Sequence, residues 1–224
     1  MDRILEPELM DGEEQARAYS EADFTEPHNM FVEEFRRIFP KREVSCTVLD
    51  LGCGPADVTV RFARAFPHCQ IDAVEGAQAM LKFARQRVEK EKMTDRIRLI
   101  HEVLPSNHQL QDNYGIIISN SLLHHLADPA TLWDTVTDKC AAGGTVFIMD
   151  LMRPVSKDRA KALVDCYAAE EPHILREDFY HSMLAAHRPE EVEKQLGSAG
   201  IEWMKVKAIT DRHLIAYGSR PVCT

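Results

Sequence analysis

Gly52 and Gly54 stand two apart in Asp50-Leu51-Gly52-Cys53-Gly54-Pro55-Ala56-Asp57, where an apolar run ends and a helical pattern begins. Glycine at both positions lets the backbone turn sharply and lets a ligand reach the main chain without meeting a side chain. Thr47 to Leu51 is an apolar run with one acidic residue, so the order is buried strand, tight turn and helix N-terminus, the usual cradle for a nucleotide-like ligand. A G-x-G pair alone is weak evidence, because many such turns carry glycine for steric reasons. The neighbours narrow the ligand. A dinucleotide turn wants a third glycine at position 57, where a pyrophosphate rests on the helix end. Asp57 occupies that place, and its carboxylate repels phosphate while suiting a bare helix start. Glu75, about twenty residues further on at the expected end of the second strand, can accept hydrogen bonds from both hydroxyls of a ribose.

The elements that must hold these residues follow from periodicity. Val44–Leu51, Gln70–Val74, Ile97–His101, Tyr114–Ser119 and Thr145–Leu151 are apolar runs, and the fourth is near-continuous, as in a parallel strand covered on both faces. Helical patterns fill the gaps over Asp57–Phe66, Ala77–Lys92 and Pro129–Cys140, with Ala141–Gly144 expected as a turn. Upstream, helices are expected near Gly12–Ala22 and over Asn29–Phe39, and a turn is expected through Pro105 and Asn107. Strands alternating with helices imply an α/β fold with a doubly wound, mostly parallel sheet. Arg153 to Arg188 breaks the alternation with a long helical stretch rich in His, Tyr and acidic residues. It follows the fifth strand, where open sheets place ligand crevices, and is expected to be an inserted helical cap over residues 153–188. Pro189–Ala199 restores the pattern as a helix, and Trp203–Ala208 with His213–Gly218 complete seven strands.

Four segments in this order carry a resemblance: Val48–Thr59, Ile71–Gly76 leading to Met80-Leu81, Ile116–Leu126 with its Leu-His-His-Leu loop, and Ala142–Asp150. They resemble the class I S-adenosylmethionine (SAM)-dependent methyltransferases, over roughly residues 45 to 151. The resemblance implies a Rossmann-like domain spanning 1–224, an antiparallel last strand, and an N-terminal helical lid over 1–40 in which Tyr19 closes over the cofactor. It implies SAM as cofactor and S-adenosylhomocysteine (SAH) as product. Asp50 and the amides near Gly52 and Gly54 would hold the methionine ammonium, and Glu75 the ribose, beside Gly76 and Ala77. Met80 would border the adenine, and Asn120 would end the fourth strand facing the methyl. The sequence departs from the family pattern at Ala56, where a glycine is commonest. It departs again after the third strand, where Glu102 is the acidic residue near the adenine only if the register shifts by one.

Methyl transfer from a sulfonium is a direct displacement, so the protein mainly aligns the reacting atoms and excludes water, and a base is needed only for a protonated acceptor. His124 is expected to face the pocket as such a base, although the His-His pair has an equally good structural reading. Asp150 and Arg153 end the fifth strand; Arg153 either clamps an acceptor carboxylate or pairs with Asp150. Asn120-Ser121-Leu122-Leu123 lacks the prolines and aromatic of enzymes that methylate nucleobase or glutamine nitrogens. Ser121 and His124 stand where a metal-binding version of this loop needs two carboxylates, so no metal is expected.

The 224 residues, 45% hydrophobic and 28% charged, suit one domain with one sizeable core. A net charge of −9, with Arg36-Arg37 and Lys41-Arg42 as the densest basic pairs, disfavours nucleic acid as acceptor. Six scattered cysteines, Cys223 included, without a C-x-x-C pair, an N-terminus opening Met1-Asp2-Arg3, and no apolar run of bilayer length lead to an expected cytoplasmic protein with reduced thiols. The expected partner is a small-molecule acceptor, methylated at oxygen, nitrogen or sulfur, with no membrane; the oligomeric state is open, a homodimer being one option. The competing readings are an RNA or protein methyltransferase, a SAM-binding protein that transfers nothing, and an NAD-dependent dehydrogenase, which Asp57 disfavours.

Overall fold

The computed structural model describes residues 1–7, 9–40, 43–106 and 108–222; Lys41-Arg42, the turn residue Asn107 and Cys223 lie outside the described residues. Strands β1 (Thr47–Leu51), β2 (Gln70–Glu75), β3 (Ile97–His101), β4 (Tyr114–Asn120), β5 (Cys140–Leu151), β6 (Met204–Ala208) and β7 (His213–Ser219) form one sheet in the order β3-β2-β1-β4-β5-β7-β6. The first five are parallel and β7 runs antiparallel between β5 and β6. Chain order reverses between β1 and β4, so the carboxyl ends of these two strands open the crevice in which such sheets bind ligands.

Strand alternation sends successive side chains to opposite faces. Val48, Ile116, Ile118, Phe147 and Met149 enter one core with α2 (Thr25–Ile38), α3 (Asp57–Ala65) and α4 (Gln78–Lys90). Leu49, Leu51, Ile117, Val146 and Ile148 enter the other with α5 (Ala130–Lys139) and α8 (Pro189–Ser198). Phe31 of α2 meets Phe147 edge-on with ring centroids 4.9 Å apart, a favoured aromatic geometry, and locks that helix onto the sheet centre. Helix α1 (Glu13–Glu21) inserts Ala16 against Ala77 and Met80. After β5, α6 (Lys157–Tyr167) and α7 (His173–Ala185) build a smaller core from Leu163, Val164, Met183 and Leu184 that rests on Leu151.

Two elements differ from the sequence reading. Residues 141–144 continue β5 instead of turning: Gly143, at φ 72°, donates to the Arg220 carbonyl and Arg220 N–H donates to Gly144, so the far end of the molecule completes the strand. Helix α2 begins at Thr25, not Asn29, because Asp23 accepts the Thr25 N–H at 2.9 Å. The described residues before Gly12 form no helix. They run as an extended strap across the carboxyl end of the sheet, with Arg3 donating to the Ala185, His124 and Leu126 carbonyls and Asp11 accepting the Ala79 N–H.

Candidate active site

The turn after β1 is left-handed at Gly52 (φ 72°), Gly54 (φ 53°) and Ala56 (φ 62°). A Cβ on Gly52 would lie 2.9 Å from Leu122 Cδ1, whereas one on Gly54 would meet nothing within 4 Å. The first glycine is therefore required by packing against the β4 loop, and the second leaves open space. Alanine at 56 tolerates its left-handed backbone at a cost of about 1 kcal/mol, roughly the penalty of αL for a residue with a Cβ. The Gly54 N–H donates to Glu75 Oε2 at 2.8 Å and the Ala77 N–H donates to Oε1 at 2.8 Å. The glycine turn and the carboxylate at the end of β2 thus meet across one cleft, and burial raises the Glu75 pKa.

Asp50 is buried and accepts a hydrogen bond from Thr59 Oγ1 at 2.6 Å; burial pushes its pKa up to about 7. Asn120 Oδ1 is buried at the same cleft with no hydrogen-bond partner. The cleft, about 680 Å³ and open to solvent, is lined by these groups with Met10, Tyr19, His28, Met80 and Ser121, and by no lysine or arginine. Buried carbonyl and carboxylate oxygens with no cation beside them fit a positively charged ligand and reject a pyrophosphate. Asp57 at the start of α3 reinforces this selection: it accepts from His28 Nδ1 at 2.6 Å, Arg61 Nε at 2.8 Å and Arg87 Nη1 at 2.8 Å. Burial raises its pKa, but the His28 and Arg61 hydrogen bonds outweigh that and hold it well below the usual carboxylate range.

A second cavity, about 1130 Å³, adjoins the first and shares Met10, Tyr19, His28, Asn120, Ser121 and His125 with it. Its walls include Met149, Leu151, Leu175 and Phe179, with the carboxylates of Asp23, Glu26, Glu171 and Asp178, the guanidinium of Arg212, and His124 and His213 as polar groups. Tyr19 stands at the junction, its ring 4.7 Å from Phe24, and burial raises its hydroxyl to about 12. The His124 ring places Nδ1 2.5 Å from Asp150 Oδ1; Asp150 also accepts the Leu123 and Leu151 N–H groups. Burial lowers the His124 pKa, but Asp150 more than offsets this, so the net shift is upward. The Arg212 guanidinium lies 3.3 Å from the centre of the Tyr167 ring.

A methyltransferase-domain family model matches residues 48–144. Over that span the chain is similar to methyltransferase domains. It is 35% identical over 81 residues to the malonyl-[acyl-carrier protein] O-methyltransferase of Bacillus cytotoxicus, 36% of this chain and 27% of that protein. It is 26% identical over 151 residues to the trans-aconitate 2-methyltransferase of Yersinia pestis, 62% of this chain and 56% of that protein. The chain therefore spans only about a quarter to just over half the length of these relatives. Among solved structures, its fold is similar to that of an S-adenosyl-L-methionine-dependent methyltransferase of Methanococcus maripaludis, with a TM-score of 0.73, 19% identity and 99% of both chains covered. The plantazolicin methyltransferase BamL, bound to SAH, gives 0.72 at 12% identity, covering 92% of this chain and 90% of its own.

Within this fold, the sequence-selected residues fall into two groups. Asp50, Gly52, Gly54, Glu75, Tyr19, Met80 and Asn120 line the first cleft together. Gly76 and Ala77 lie just beyond it, with Gly76 covered by Leu9 of the strap and Val103. The turn amides do not face a ligand: the Gly52 and Cys53 N–H groups both donate to the Val74 carbonyl and that of Gly54 to Glu75, and an ammonium in any case needs acceptors. Glu102 turns away from the cleft and accepts from Ser106 Oγ and the His108 and Gln109 amides, closing the loop after β3. Arg153 reaches neither cavity, nor does it pair with Asp150; it is buried against Glu191 and the Ala186 carbonyl. The groups not selected from sequence are Leu9, Met10, Arg212 and the carboxylate of Glu6. Their approach depends on the strap and the β7 turn, which carry no periodic signal.

Proposed function

We propose that the protein transfers a methyl group from SAM to a small-molecule acceptor at oxygen, nitrogen or sulfur, releasing SAH. The observation that carries this reading is the meeting of the Gly54 amide and the Glu75 carboxylate, 2.8 Å apart, beside a buried Asp50 without a cationic partner. When bound, SAM supplies a methyl already activated by a positive sulfur. Asp50 and Asn120 Oδ1 supply acceptors for its ammonium, Glu75 accepts from its ribose hydroxyls, and Leu9 with Val103 covers the surface by Gly76 where a base would lie. Tyr19 and Met10 lie between the cleft and the second cavity, which has room for a compact acceptor and is bordered by residues of α6 and α7. His124, held by Asp150, faces that cavity and can take a proton from an acceptor hydroxyl or thiol. Arg212, paired with Asp211 and stacked on Tyr167, is a cation of the same cavity that can also meet an acidic group of an acceptor. The names of the two relatives, a malonyl-[acyl-carrier protein] O-methyltransferase and a trans-aconitate 2-methyltransferase, support an acceptor that carries an acidic group.

The test is incubation of the protein with labelled SAM and a pool of small carboxylic acids, with label transfer read by mass spectrometry. Label on a small acid supports the reading. SAM binding without transfer to any small molecule, or transfer only to RNA or protein, contradicts it.

A further inference from the structure

Glu6, His124 and His125 bring one oxygen and two ring nitrogens within 4.8 Å of one another, at the edge of the second cavity. Glu6 Oε1 lies 3.3 Å from His125 Nδ1 and 3.6 Å from His124 Nε2. His124 is buried, exposing 2% of its side chain, and Glu6 and His125 are partly buried, exposing 9% and 13%. Neither Glu6 Oε1 nor His125 Nδ1 has a hydrogen-bond partner.

The protons on these groups are fixed by what lies behind them. His124 Nδ1 faces Asp150, so its N–H points there and the Nε2 lone pair points at Glu6. His125 makes its backbone hydrogen bond with Pro7, which has only a carbonyl to offer, and Nδ1 is unpartnered; the bond therefore belongs to Nε2–H and the Nδ1 lone pair faces Glu6. Ser182 Oγ donates to the other Glu6 oxygen at 3.2 Å. Three lone pairs thus converge on one point, each aimed by a partner on its far side. Arg3, the nearest guanidinium, is tied to the Ala185, His124 and Leu126 carbonyls and does not enter the cluster. Converging lone pairs in a partly buried cluster repel one another unless a proton or a metal cation lies between them, and a metal ion satisfies all three at once.

We infer that Glu6, His124 and His125 form a binding site for a divalent transition-metal ion of the zinc class, with a fourth position open toward the second cavity. Two imidazoles and one carboxylate plus an open position is a zinc donor set. Metal–ligand bonds of about 2.0–2.1 Å in a tetrahedron put neighbouring ligand atoms about 3.4 Å apart, close to the 3.3 and 3.6 Å observed. Asp150 behind His124 is the carboxylate that orients a ligating imidazole and raises its basicity. The sequence reading excluded a metal because the β4 loop lacks two carboxylates; the strap brings one from 118 positions away in the chain. The inference does not depend on methyl transfer. With a metal bound, His124 serves as a ligand and not as a base, and an acceptor oxygen at the fourth position is oriented by the ion.

The test is titration of the metal-stripped full chain with Co²⁺, read by visible absorption, and with Zn²⁺, read by calorimetry. One equivalent of Co²⁺ should bind with the intense bands of four-coordinate geometry and without a thiolate charge-transfer band. Glu6→Gln and His125→Gln should each raise the dissociation constant at least tenfold, while Cys166→Ser leaves it unchanged. Nitrogen-15 spectra of the wild-type histidines supply a readout independent of variant folding: Zn²⁺ should move His124 Nε2 and His125 Nδ1. Absence of one-equivalent binding, equal affinity in both variants, or shifts confined to other histidines would overturn the inference.

Discussion

Asp50 is a fully buried carboxyl at the first cleft, without a cationic partner. Burial holds its carboxyl protonated up to about pH 7, far above the usual aspartate range. A folded-state pKa raised in this way contributes stability that is complete below the unfolded pKa and is lost as pH rises through the folded one. The ligand-free protein should accordingly lose stability between about pH 5 and 8, and Asp50→Asn should flatten that part of the thermal-melting profile. Cofactor binding should run the other way. An ammonium needs the ionised carboxylate, so SAM affinity should rise as pH passes through about 7 in the wild type and stay low and flat in Asp50→Asn. A wild-type affinity independent of pH would show that Asp50 does not meet the ammonium. Arg212 makes the complementary case for the acceptor. Arg212→Met should raise the acceptor KM at least tenfold, while the SAM dissociation constant stays within twofold. Equal changes in both constants would place Arg212 in general support of the fold.

Among the elements, α2, α3 and α4 are joined at one carboxylate, because Asp57 accepts from His28 of α2, from Arg61 of its own helix and from Arg87 of α4. Replacing it leaves partly buried cations without their partner, which typically costs about 3 kcal/mol. Asp57→Asn should lower stability by about that amount at neutral pH in denaturant unfolding. The sign with pH is opposite to that of Asp50. A depressed carboxylate pKa contributes stability above the unfolded pKa of about 4 and loses it as pH falls through the folded value. The gap between wild type and variant should therefore close in acid. A constant gap would mean that packing, not charge, accounts for the loss.

Legibility also follows element by element. The strands of the sheet were readable because each is a short apolar run bounded by turn residues, and Ile97–His101 has the same bounds in sequence and structure. The beginning of β5 was not, since Gly143 and Gly144 look like a turn until Arg220 pairs with them from the far end of the chain. That Asp50, Gly52, Gly54, Glu75 and Asn120 share one cleft was readable because they sit at strand ends with fixed spacing. Glu102 misled because the loop after β3 needs a carboxylate to bind its own amides, and sequence does not reveal which way a side chain turns. Arg153 misled similarly, as its partner Glu191 lies 38 positions away on another helix. Least legible was the strap, in which Leu9 and Glu6 reach their targets without periodicity or motif.

On the scale of the whole molecule, the two cavities share one wall, so the account makes the first a cofactor seat and the second an acceptor chamber. The strap, α1 and the α6–α7 cap all close on that wall. Its central claim is the cofactor seat, and calorimetric titration of the full chain with SAM, on wild type and Glu75→Gln, tests it most directly. The account predicts one SAM per chain, with affinity reduced at least tenfold in Glu75→Gln, a loss of about 1.4 kcal/mol or more. No binding by the wild type, or equal affinity in the two proteins, would contradict it.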